Sequence, residues 1–242
     1  MISNNNIRQN IVFLVFMFFC IGILHAQNDE IFSTSGYFNP PLIGKPYKPS
    51  PIGKGTPFLV ENWLNGNVYL TNGDTVKNRW LKFDCVKSEL IWLADGKDVV
   101  AVDPSLILGF SLTPLNMNYL RVFQKISMKS PLIEDTAIRY LEILSSEKVK
   151  LFASRKVGVS SEAVIGSKGG AYSLSVYTQE PFFLFQVGDL PIKYIKTRRK
   201  SIINAYPEHA VKIKSIFREN HVGSVRSEYQ LIEAVKILNS KW

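Results

Sequence analysis

From Phe58 onward, apolar and polar positions alternate with a period of two, the spacing of a strand with one buried face. Val68 and Leu70 alternate with Tyr69 and Thr71. Asn72-Gly73-Asp74 follows, and residues of this kind tolerate the positive φ of a tight turn. A second strand is therefore expected over residues 76–85. The same logic predicts a hairpin from residues 90–93, through Asp95-Gly96-Lys97, to residues 99–102. Asp103-Pro104 breaks it, and residues 106–112 make another strand. Further strands are expected over 119–126, 138–144 and 149–153, the last two about a Ser145-Ser146-Glu147 turn, with 127–136 as loop. Residues 166–170 read as a flexible turn. Tyr172, Leu174 and Val176 against Ser173, Ser175 and Tyr177 give the cleanest alternation in the chain. Phe182-Phe183-Leu184-Phe185 is wholly apolar and reads as a strand that offers either a core or an exposed sheet edge.

After Ile195 the period becomes helical. Residues 198–206 predict a short helix, and Pro207 ends it and opens the next, over 207–221. Ala210, Ile213, Ile216 and Phe217 form that helix's apolar stripe, and Gly223 is its expected stop. Ser227 and Gln230 make a capping box for a third helix carrying Leu231, Val235 and Leu238. The expected fold class is mainly β, an antiparallel hairpin-rich barrel or sandwich followed by two or three short C-terminal helices. Helices of this length are marginal alone, so they are expected to pack on each other and on the sheet.

The N-terminal part changes the compartment. Residues 11–24 are an uninterrupted apolar run of 14, shorter than the roughly 20 that a membrane-spanning helix needs. Arg8 precedes the run and Ala26 follows it, the pattern of a secretory signal peptide. Residues 1–26 are read as that signal, and no transmembrane span is expected after its cleavage. The expected location is exported: periplasmic, outer-membrane-associated or extracellular. Residues 27–57 hold half of the prolines and read as a Pro/Gly-rich linker, either lying across the body or running free. Residues 58–190 form the expected β-rich domain and 191–242 a basic helical tail packed on it. Cleavage removes Cys20 and leaves Cys85, which excludes an intramolecular disulfide and reads as a buried apolar thiol.

Charge singles out the tail. Residues 191–242 contain 11 Lys/Arg against 4 Asp/Glu, so they hold most of the formal net charge of +9. Lys193, Tyr194, Lys196, Arg198, Arg199 and Lys200 form the candidate ligand-binding cluster. Arginine forks suit phosphate or carboxylate groups, and Tyr194 is placed to stack beside them. The structural alternative is a solvated helix start. Cations there oppose the helix dipole, and that mismatch is the one feature that speaks for binding against the solvated helix start.

No catalytic or metal constellation emerges. After cleavage the histidines are His209 and His221, 12 positions apart on the predicted second helix, which is no metal-ligand spacing. Ser145-Ser146-Glu147-Lys148 has a Ser-x-x-Lys spacing but falls at a predicted hairpin. Gly166-Ser167-Lys168-Gly169-Gly170 lacks the phosphate-loop spacing and precedes a strand. No catalytic residue, metal ligand or cofactor is assigned.

Two resemblances accompany these patterns. Residues 66–74, with Asn72-Gly73-Asp74, then 80–84 and 90–96, resemble the opening of Sm-like and SH3-like small barrels. The wider order is similar to that of uncharacterised secreted proteins of Bacteroidota. In those, an Asn-Gly or Asp-Gly hairpin domain precedes a strand pair like 149–152 and a tail like 200–242. That resemblance implies an envelope location and no particular activity.

The leading expectation is a non-enzymatic secreted or cell-envelope binding or scaffolding module. Its expected partner is an envelope protein or an anionic surface, with no nucleic acid. The alternatives are an exported hydrolase with an unrecognised carboxylate site, and an anionic-ligand or membrane-surface binder working through the basic C-terminal region.

Overall fold

The computed structural model describes residues 41–94, 98–115, 119–127, 138–165 and 169–242. The expected signal peptide, the linker up to residue 40, Asp95-Gly96-Lys97, most of the 127–136 loop and Gly166, Ser167 and Lys168 lie outside them. Among the described residues the chain is mainly β, with 14 strands in largely antiparallel sheets followed by three short α-helices.

The strands are β1 (Gly44–Pro46), β2 (Gly53–Lys54), β3 (Leu64–Leu70), β4 (Thr75–Asp84), β5 (Glu89–Ala94), β6 (Asp98–Val102) and β7 (Ile107–Thr113). They continue as β8 (Arg121–Ser127), β9 (Ile138–Ser146), β10 (Val149–Ser154), β11 (Val157–Ile165), β12 (Ala171–Gln179), β13 (Phe182–Val187) and β14 (Lys193–Ile195). The helices are α1 (Arg199–Ala205), α2 (Ala210–Glu219) and α3 (Glu228–Lys241). Eleven strands form one sheet in the order β1-β6-β5-β4-β3-β7-β8-β9-β10-β13-β14, and β11, β12 and β2 form a second.

The β3–β4 turn closes as the sequence dictates. Gly73 takes φ 92°, Leu70 N–H donates to Asp74 O over 2.9 Å, and Asp74 N–H donates to the Asn72 side chain over 3.0 Å. Asp103 does more than break a strand. Its carboxylate accepts the Ser105 N–H at 2.8 Å and starts a one-turn 3-10 helix, Pro104–Leu106, that returns the chain to β3 as β7. A Cβ on Gly66 would sit 2.1 Å from Ser111 O, so glycine permits the close approach of β3 and β7.

Two cores share this sheet. The first is built on β3–β9 and centres on Phe83, Phe110, Phe123 and Tyr140. Phe110 and Phe123 stack at 4.7 Å, and the Tyr140 ring meets Phe110 edge-on at 5.3 Å. The second joins the inward faces of β10 and β13 to the helices, through Leu151, Phe185, Ile202, Phe217, Leu231 and Val235. Full burial of such side chains contributes about 1.5–3 kcal/mol each. A smaller cluster of Leu141, Phe152 and Leu184 covers the opposite face of β9, β10 and β13.

One charged residue marks the seam between the two cores. Cross-strand partners run Phe123, Glu142, Ala153, Phe183 and Ile195 from β8 to β14. Phe123 belongs to the first core, and Ala153, Phe183 and Ile195 to the second. Glu142 sits between them and is 4% exposed, so its charge must be matched internally. Arg121 grips it with two bonds of 2.7 Å, and Arg155 Nε donates to its Oε2. The far side of the Arg155 guanidinium then forks onto Glu228, the first residue of α3, at 2.7 and 2.6 Å. An anion in the first turn of a helix is also favoured by the helix dipole.

The tail is held by two further polar locks. Asn239 of α3 accepts the Val149 N–H at 2.7 Å and donates to Val149 O at 2.9 Å, behaving as a one-residue strand partner. The Tyr206 hydroxyl lies 3.0 Å from Phe185 O and 2.5 Å from Pro191 O, which share its proton.

Several elements differ from expectation. The Pro-rich segment, as far as it is described, lies across the body. β1 pairs with β6, β2 pairs in parallel with β12, and the Tyr47 hydroxyl donates to the buried Asp84 carboxylate at 2.7 Å. β11 escaped the pattern reading, because Ser160, Ser161, Glu162 and Ala163 are all exposed and carry no alternation. The clean alternation of β12 does not mark a core face: Tyr172 is 54% exposed, and it is Tyr177 that is buried. β13 is flanked by β10 and β14 with Phe183, Leu184 and Phe185 buried, so it offers no free edge. The second helix starts only at Ala210, after a 3-10 turn at Pro207–His209, and ends at Glu219 rather than Gly223. His221 itself takes the left-handed conformation, with φ 53°.

Burial pushes the Glu142 carboxyl upward, but the bonds and charges of Arg121 and Arg155 outweigh it and hold the group below its usual range. A depressed carboxylate stabilises the fold fully above its unfolded value, about 4.3, and that contribution disappears as pH falls through the folded value. Glu142→Gln is expected to cost about 3–5 kcal/mol in urea unfolding at neutral pH, because two arginines lose their counter-charge. It should also flatten the loss of stability below about pH 4.3 that the parent chain shows.

Candidate cation-lined cleft

The basic segment begins where the sheet ends. Ile195 of β14 is 1% exposed and anchors in the second core, which fixes the backbone just before Lys196. The Lys196 N–H donates to Ser201 Oγ at 3.0 Å and the Arg198 N–H to Lys196 O at 2.7 Å, so residues 196–201 form a tight entry into α1. Arg198 is extended at φ −144° and projects from that bend.

The facing wall comes from the connection between α2 and α3. Val225 is 3% exposed and pins this connection into the second core. Ser227 Oγ accepts the Gln230 N–H at 3.3 Å, and Gln230 Oε1 reaches back one residue further than the usual box to accept the Arg226 N–H at 2.8 Å. The backbone carrying Arg226 is therefore fixed at both sides.

Between the two walls lies a cleft of about 450 Å3, lined by Thr197, Arg198, Arg199, Ser224, Val225 and Arg226. Its charged lining residues are the three arginines, and among the described residues no carboxylate lines it. Arg198 and Arg226 enter no ion pair among the described residues. Arg199 is half-buried, with its guanidinium 5.7 Å from the Phe217 ring centroid, and its buried Nε finds no acceptor among the described residues. A buried donor left in that state costs about 1–3 kcal/mol.

Of the six candidate residues, Arg198 and Arg199 line the cleft. Lys196 and Lys200 flank it in sequence and are exposed. Lys193 is exposed on β14, opposite Phe185. Tyr194 is exposed on β14, with its ring 5.9 Å from that of Phe182, and it is not among the lining residues of the cleft. Thr197, Ser224, Val225 and Arg226 were not among the candidates. The capping box beginning at Ser227 placed Arg226 at a helix entrance, but only tertiary packing brings that entrance beside α1.

The remaining reactive groups are engaged elsewhere. Ser145 Oγ donates to Val149 O at 3.2 Å and accepts from Asn239, so the Ser-x-x-Lys stretch belongs to a hairpin docked on α3. Asp84 accepts from Tyr47 and from the N–H groups of Val86 and Lys87, and Glu142 is held by two arginines. Among the described residues, no group of three His, Cys, Asp or Glu is placed to hold a metal, and no helix is long and apolar enough to cross a membrane. Comparison with protein-family models, curated proteins and solved structures finds no match to this chain.

Cys85 is 5% exposed, and burial together with the neighbouring Asp84 charge pushes its thiol up to about 12. At pH 8 a disulfide-exchange reagent should leave the native protein unmodified while labelling the urea-unfolded chain to completion. Fast labelling of the native protein would show that the thiol is open.

Proposed function

We propose that this chain is a non-enzymatic module of the cell envelope that binds an anionic group in the Arg198–Arg199–Arg226 cleft. The carrying observation is that three arginines from two separate chain segments line one cleft, with no ion pair to any of them and no carboxylate in the lining among the described residues. Holding like charges together is unfavourable unless something neutralises them, and a low-dielectric wall such as the Phe217 side strengthens attraction to an incoming anion. The two buried carboxylates, Asp84 and Glu142, are saturated by structural partners, which sets the hydrolase reading behind the binding one. Export and an envelope location enter this reading from the apolar N-terminal run.

Deleting the tail would not test the proposal, because α1, α2 and α3 supply half of the second core. Point reversals do. Arg198→Glu with Arg226→Glu should elute from a sulfonate resin at clearly lower salt than Lys214→Glu with Lys241→Glu, which changes net charge equally on exposed positions of α2 and α3. Equal elution of the two double variants would reduce the effect to net charge and remove the cleft from the account.

A further inference from the structure

We infer that the cleft selects a phosphate monoester over carboxylates and phosphate diesters. This rests on the anion-binding reading above and deepens it. A single carboxylate presents two oxygens and is satisfied by two arginines, as Glu142 is by Arg121 and Arg155. Three arginines lining one cleft offer more donors than that group can accept. A monoester phosphate presents three terminal oxygens and a charge of about −1.5 to −2 near neutral pH, which matches three guanidinium groups in both number and sign. A diester keeps only two terminal oxygens and one negative charge.

The lining supplies further donors. Thr197 and Ser224 place hydroxyl-bearing side chains around the same space. Arg199 Cζ lies 5.7 Å from the Phe217 ring centroid, which anchors this side chain beside the cleft. Arginine rather than lysine at all three charged positions points the same way, since a planar fork grips adjacent phosphate oxygens and an ammonium acts as a point charge. At about 450 Å3 the cleft falls in the size range of small-molecule sites, which leaves room for a body attached to the phosphate. Val225 provides an apolar surface beside it.

A soluble phosphorylated metabolite and a phosphomonoester lipid headgroup share this chemistry. Calorimetric titration of the mature chain with glycerol 3-phosphate, glycerophosphoglycerol and succinate separates the ligand classes. Co-sedimentation with phosphatidylcholine vesicles containing phosphatidic acid or, at equal mole fraction, phosphatidylglycerol covers the lipid source. The monoester should bind about tenfold or more tightly than the diester and succinate, as expected when one charge-assisted bond is lost. Its affinity should rise between pH 5 and 7.5 as the second phosphate proton leaves near pH 6. Arg199→Lys, and separately Arg226→Lys, should each weaken it about tenfold without changing net charge. The second variant sits on the exposed connection and guards against a folding defect in the first.

Binding of glycerol 3-phosphate with these dependences supports the inference with a soluble source. Arginine-dependent capture by phosphatidic acid vesicles alone supports it with a membrane source. Equal affinity for succinate or the diester, or equal capture by both vesicle types, overturns phosphate-monoester selectivity and leaves the anion-binding reading standing. Binding of no anion in either format overturns both.

Discussion

Glu142 is a charge in a row of apolar residues, and it stays buried between two cores because that charge is answered from both sides. Arg121, from β8, secures it on the side of the aromatic core. Arg155, just past β10, links it to Glu228 at the start of α3. The result is a relay of four side chains that ties the helical layer to the strand row where one core gives way to the other. An apolar pair at this seam could stabilise the fold as well, but would hold the helix with less directional specificity. The bidentate geometry at both ends fixes the angle at which α3 begins.

That angle matters for the cleft. Glu228 stands two positions after Arg226, so the relay that docks α3 also sets one wall of the cation-lined space. The other wall follows Ile195, the last buried residue of the sheet row that contains Glu142. The two chain segments carrying the arginines are thus held at two points along one strand row. Packing brings together charges that repel, and the stability of the second core offsets that repulsion.

Much of the architecture was legible because local signals agreed with it. The Asn72-Gly73-Asp74 turn, the strands on either side of it, the break at Asp103-Pro104 and the cap at Ser227 each depend on a few neighbouring residues. Elements whose identity depends on distant partners were not legible. β1 and β2 exist because β6 and β12 offer free edges, which no window around Pro46 or Gly53 reveals. β11 is a strand by pairing with β12 over nine residues, although its exposed centre carries no pattern. In β12 the alternation pointed to the less buried face, because much of that strand lies outside any core. The cleft divides in the same way. Arg198 and Arg199 stood out as adjacent charges against a helix dipole, whereas Arg226 was one of several scattered cations until packing brought the segment before α3 beside the entry to α1.

The central claim is that the Glu142 relay makes the sheet and the helical layer one cooperative unit. Native-state hydrogen exchange under increasing urea tests it most directly. The account predicts that the amides of Leu231 and Val235 in α3 merge with those of Val68 and Phe110 in a single unfolding free energy. Exchange of the α3 amides at a distinctly lower free energy, with no urea dependence shared with the aromatic core, would contradict it.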